Sequence, residues 1–132
     1  MPSLHNAQLT VAPDYSLTRA TLTVECDVQF TEFEVNAMNK LGLRYVLGCR
    51  VVNKDLWYVT TSAVFADVEL PRSGRAAVAT EHVELQMIAP IAQLREHMFT
   101  LDEFLAELTL RDCATGAEQV ARTPLVSVDL AA

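Results

Sequence analysis

Two of the three histidines directly follow a glutamate, as Glu81-His82 and Glu96-His97. Imidazole beside carboxylate is the raw material of divalent-metal sites and of general acid–base couples. Spacing alone does not assemble either one. Adjacent residues of a strand point to opposite faces, so each pair would divide its ligands between two sides of a sheet. His82 and His97 are therefore metal candidates only if the fold brings other carboxylates to them, and the commoner fate of such residues is a solvated surface.

Other chemistry is thinner. The chain has no GxSxG elbow, no HExxH helix and no CxxC pair, so the usual routes to an activated nucleophile or a zinc-bound water are closed. Its four glycines, Gly42, Gly48, Gly74 and Gly116, each fit a turn, loop or strand site, which leaves none to cradle a phosphate. No catalytic residue and no cofactor are expected.

Two sets of residues suggest binding instead. Arg72 and Arg75 flank Ser73-Gly74 and form the closest basic pair of an acidic chain, suited to clamping a carboxylate or phosphate. Trp57-Tyr58 follows the turn-like "NKD". On a regular strand only one of the two rings faces the core, and an exposed aromatic at a strand end is a typical interface anchor. Glu25, Asp27, Glu32 and Glu34 read as an acidic run on the outward phase of a first hairpin. Carboxylates there keep a sheet face wet and discourage edge-to-edge association, although they would also suit a cation or a basic partner.

The elements that must position these residues are mainly strands. In "ATLTVECDVQF", Ala20, Leu22, Val24, Cys26, Val28 and Phe30 alternate with Thr21, Thr23, Glu25, Asp27 and Gln29, the period of a half-buried strand. "AQLTVAP" gives a shorter alternation before it, ended by Pro13. After Phe30 the apolar phase slips to Phe33, Val35 and Ala37, which a bulge or tight turn at Thr31-Glu32 would produce. "MNKLG" reads as a hairpin connection into "LRYVLGCRVV", and "LWYVTTSAVFADVEL" as one long central strand.

"PRSGRAAVATEH" is an extended loop by its Pro, Ser and Gly content, and "VELQMIA" resumes as a strand. Beyond Pro90, Ile91, Leu94 and Met98 recur at helical spacing. Residues 100–110 satisfy two templates. Thr100 and Glu103 match a capping box, yet Phe104, Ala106, Leu108 and Leu110 alternate into the turn residues Asp112 and Thr115-Gly116. The turn chemistry favours a hairpin. Roughly seven or eight strands at hairpin spacing follow. They predict a single all-β domain over 1–132, a two-layer antiparallel sandwich of immunoglobulin-like or jelly-roll-like type, with at most one short helix near 90–98; an open barrel is second.

A net charge of −7 with scattered Lys and Arg offers no basic stripe for a nucleic acid or an anionic membrane. No stretch approaches the ~18 apolar residues of a membrane span, and no cationic start precedes an apolar run. A cytoplasmic setting is expected. Three cysteines, an odd number, fit reduced thiols in such a compartment, with a Cys26–Cys49 bridge between facing sheets as the alternative. Function narrows to a non-enzymatic interaction or structural module, self-associating through a sheet face or edge in one version. The alternatives are a carrier of a small apolar or anionic ligand, entered near Arg72–Arg75, and a metal-dependent enzyme using the two Glu-His pairs.

Overall fold

The alternation from Ala20 to Phe30 becomes the centre of the smaller of two sheets. The computed structural model describes residues 1–54, 59–95 and 101–130. In it β1 (Ser3–Asp14) and β2 (Arg19–Gln29) form an antiparallel pair. The chain then makes a helix, α1 (Glu32–Leu41), and crosses to the second sheet as β3 (Tyr45–Lys54), β4 (Val59–Val64) and β5 (Val68–Leu70). It returns as β6 (Thr80–Pro90) on the free side of β2, makes the single turn α2 (Ile91–Leu94), and crosses again as β7 (Asp102–Asp112), β8 (Glu118–Arg122) and β9 (Val126–Val128).

The sheet orders are β1-β2-β6 and β4-β3-β7-β8, with β5 continuing the β4 side along β3 and β9 continuing the β8 side along β7. Two layers of three and four strand positions result. That is the arrangement of immunoglobulin-like sandwiches rather than the eight strands of a jelly roll. Between the layers, Leu22, Val24, Cys26 and Val28 pack in one cluster with Leu47, Cys49 and Val51 of β3 and Phe104, Ala106, Leu108 and Leu110 of β7. Every one of these side chains is buried.

The slip after Phe30 is not a bulge or a turn. Thr31 is the N-cap of α1: its hydroxyl accepts from the Glu34 N–H, and the Glu34 carboxylate accepts from the Thr31 N–H at 2.8 Å, a complete capping box. The helix stops where Gly42 takes a left-handed φ of 72°, which a residue with a Cβ adopts at a cost. "MNKLG" is thus a helix C-terminus and not a hairpin. The domain has two helices among the described residues, where at most one was expected. Glu32 and Glu34 consequently leave the outward face of a hairpin and sit in the first turn of α1, where carboxylates favour the positive end of the helix dipole.

The stretch 59–70 also departs from its reading as part of one long central strand. β4 and β5 are separate short strands on the outer edge of β3, and the β3–β4 register shifts between Val51 and Val52. Residues 102–112 are strand, as the hairpin reading had it. The helical turn after Pro90 is present, while Met98 and Thr100 lie outside the described residues. The loop between β5 and β6 is pinned to α1 by Asn39, whose side chain accepts from the Ala77 N–H at 2.8 Å and donates to the Ala77 carbonyl at 3.3 Å.

Cys26 and Cys49 lie on the inner faces of opposite sheets and are unbridged, whereas Cys113 is exposed in the turn between β7 and β8. Burial raises the Cys26 thiol to about 11 and the Cys49 thiol to about 12. A thiol reagent on the native protein is expected to label Cys113 first and the other two only after denaturation. Two fewer titratable thiols in denaturant without reductant would instead establish the bridge.

Candidate functional site

Register decides which polar side chains meet on the outer face of the three-stranded sheet. Asp27 on β2 lies opposite His5 on β1 and His82 on β6, while Glu25 lies opposite Gln8 and Glu84. His82 Nδ1 is 2.8 Å from one Asp27 oxygen, and Asn6 donates to the other at 3.0 Å. Asn6 reaches Asp27 because β1 shifts register between His5 and Gln8 and takes a φ of 55° at Asn6. Such a bulge re-aims a side chain.

Asp27 is held below the usual carboxylate range by the Asn6 hydrogen bond first and the His82 hydrogen bond second. His82 is raised above the usual imidazole range, chiefly by its bond to Asp27 and further by the charges of Asp27, Glu25 and Glu84. Because its folded value is raised, the favourable contribution of charged His82 is complete below the ordinary histidine value and disappears as pH rises through the folded one. NMR titration of the His82 ring protons is expected to show a midpoint above that of an exposed histidine. Asp27→Asn should bring it down, and an unchanged midpoint in that variant would break the assignment.

Donor atoms of Glu25, His82 and Glu84 all lie within 4.8 Å of one another. With Nδ1 committed to Asp27, Nε2 is the ring nitrogen left for another partner, the division seen in carboxylate–histidine pairs at metal sites. Glu25 and Glu84 are direct cross-strand neighbours of like charge, a destabilising pair unless something cationic lies against it. His82 is the cationic group already lying against that pair when protonated.

The same residues line an open sheet edge. The Phe30 N–H donates to the Ala79 carbonyl at 2.8 Å, and the Ile91 N–H to the Thr18 carbonyl at 3.0 Å. These bonds bracket an unbroken register from Arg19↔Pro90 to Gln29↔Thr80. Antiparallel strands alternate between residues that bond the partner and residues that bond away from it. Thr80, His82, Glu84, Gln86 and Ile88 therefore turn their N–H and C=O groups away from β2. On that side β6 has no strand neighbour among the described residues. The opposite edge is guarded: β1 carries the register shift and Pro13, and it packs beside β8 and β9.

Of the residues singled out in the sequence, His82 joins this cluster. Its neighbour Glu81 does not: it meets Arg72, whose Nε is 3.8 Å from Glu81 Oε1. Arg75 is exposed and has no side-chain partner among the described residues. Trp57, Tyr58, Glu96 and His97 lie outside the described residues. Glu84 and Asn6 carried no signal of their own in the sequence, since only pairing across three strands brings them to Asp27 and His82. A cavity of about 230 Å³, lined by Phe33, Leu43, Tyr45 and Leu110 among others, opens at the α1 end and not beside the Arg72–Arg75 loop.

Fold and site together define an all-β sandwich of two antiparallel sheets with a charged face beside an open edge. No helix among the described residues is long and apolar enough to cross a membrane. No protein-family model matches the chain, and no curated protein matches it significantly in sequence. Among solved structures, the chain is similar to the ApaA protein of Bordetella pertussis at 10% identity and a TM-score of 0.41, over 97% of this chain and 92% of that one. It is also similar to β-glucosidase 3B of Thermotoga neapolitana, in complex with glycerol, at 12% identity and a TM-score of 0.37, over 96% of this chain but only 16% of the enzyme's. Likenesses this weak say nothing of activity.

Proposed function

We propose that this chain is a non-enzymatic interaction module whose binding element is the open edge of β6, which accepts an extended strand of another chain. The observation that supports the reading is the regular outward ladder from Thr80 to Ile88, unpaired among the described residues and uninterrupted by a register shift. Long edges are ordinarily blunted by bulges, prolines, charged side chains or covering loops; β6 has Pro90 at its end and Glu84 on its outer face, but no register shift against β2. An edge of this kind takes affinity from main-chain hydrogen bonds and specificity from alternate side chains. Here those are His82, Glu84, Gln86 and Ile88. Reduced Cys26, Cys49 and Cys113 fit a cytoplasmic setting.

The test is amide exchange at His82, Glu84, Gln86 and Ile88, followed by NMR in the protein at rising concentration and with a pool of short extended peptides. Protection of these amides by either addition supports edge docking. Exchange that stays at unprotected rates in both rejects it. Gln86→Pro sharpens the result, because proline removes an outward N–H that β2 does not use. That variant is expected to keep most of its thermal stability while losing the protection.

A further inference from the structure

Given an edge that docks a strand, its side chains select the strand. We propose that the occupant is β6 of a second copy, paired antiparallel about a two-fold axis at Val83, so that His82 of each copy faces Glu84 of the other. Two identical strands exchange ladder bonds only where outward residues oppose outward residues, which leaves few registers. Centring on His82 sets imidazole against imidazole. Centring on Glu84 sets two Glu84 carboxylates together, each already opposite a Glu25. Centring on Leu85 puts His82 against Ile88 and Glu84 against Gln86, so no charge meets its opposite.

Centring on Val83 pairs His82 with Glu84 twice and Thr80 with Gln86 twice. Ile88, 57% exposed, then lies beyond the last paired residue, Thr80, of the partner strand. The Glu25–Glu84 pair, already faced by its own chain's His82, then also meets the partner's imidazole, whose Nδ1 is held by its own Asp27. A two-fold axis normal to the sheet keeps both charged faces on one side and joins the two three-stranded sheets into a continuous one.

The register is read by disulfide trapping of Thr80→Cys and Gln86→Cys, each made with Cys113→Ser to remove the exposed thiol. In the proposed dimer positions 80 and 86 are directly opposed, with Cα atoms about 5.5 Å apart, within disulfide reach. Positions 80 and 80 are offset by six residues, roughly 20 Å at ~3.4 Å per residue. Mixing the two variants under mild oxidation is expected to give the cross-linked dimer, and each variant alone to give little. The native chain should sediment as a concentration-dependent monomer–dimer mixture that chelator leaves unchanged.

Cross-linking of either variant with itself in preference to the mixture overturns the register. A native chain that stays monomeric at every concentration overturns the second copy as occupant, as does dimerisation that chelator abolishes, which would give the cluster to a metal ion. In those cases peptide protection of the β6 amides would leave edge docking standing, and its absence would remove both.

Discussion

Val24→Asp is expected to leave no stably folded domain, whereas Thr23→Asp, one residue earlier, folds and melts close to the parent. Val24 is 0% exposed and stands between Leu9 of β1 and Leu85 of β6 in the middle strand of its sheet. It packs in the cluster that joins the two layers. A carboxylate there has neither water nor a cation, and burying an unpaired charge costs several kcal/mol or forces the group to stay protonated. Domains of this size have only about 5–15 kcal/mol of stability to lose. Thr23 points the other way, among Thr10 and Gln86 on the half-exposed outer face, so an ionised side chain keeps its hydration. Soluble yield and thermal melts of the two variants check the contrast. Equal tolerance would mean that the faces of β2 are wrongly assigned.

That contrast was legible in the sequence because one face of β2 is buried along its length, and full burial imposes a strict period of two. Helix α1 was not legible, although its capping box stands in the sequence as Thr31 and Glu34. Phe30, Phe33, Val35 and Ala37 resemble a strand with one slip. The helix leaves Phe33 79% and Leu41 83% exposed while burying Ala37 and Met38, so its apolar residues do not form a clean helical stripe. The matching pair Thr100 and Glu103 shows the converse, since Glu103 lies in β7. A capping pattern permits a helix to start, and tertiary cover decides whether it does.

The candidate site was legible only in part, for a similar reason. Glu25 and Asp27 could be placed on an outward face by alternation, and His82 by its strand. That Asp27 meets His82, that Glu25 opposes Glu84, and that β6 lacks a second strand neighbour among the described residues are properties of register and sheet order. Alternation sets which face a side chain takes, and long-range pairing sets its neighbours.

Glu34→Ala is expected to destabilise the domain by about 2–4 kcal/mol, while Glu34→Gln costs less than about 1 kcal/mol. The Glu34 side chain has three partners in a buried position, 6% exposed, the mostly exposed Met1 amino group at 3.6 Å being the weakest. One oxygen accepts from the Thr31 N–H and closes the capping box, and the other accepts from the Tyr45 hydroxyl at 3.2 Å. Tyr45 is itself 3% exposed, with its ring 5.2 Å from that of Phe30. Burial, and then the neighbouring Glu34 charge, raise its phenol well above the usual tyrosine range, so it stays a donor in need of an acceptor. Alanine leaves that donor buried and unsatisfied and opens one half of the cap, two losses of roughly 1–3 and 1 kcal/mol. Glutamine keeps an acceptor oxygen for one contact and is an accepted capping-box residue. Chemical denaturation of both variants alongside Tyr45→Phe checks the division. Tyr45→Phe removes the buried donor without opening the cap, so Glu34→Ala in that background should cost only the capping part and the small share of the Met1 ion pair. If it costs as much as in the parent, the Tyr45 bond contributes nothing to the role of Glu34.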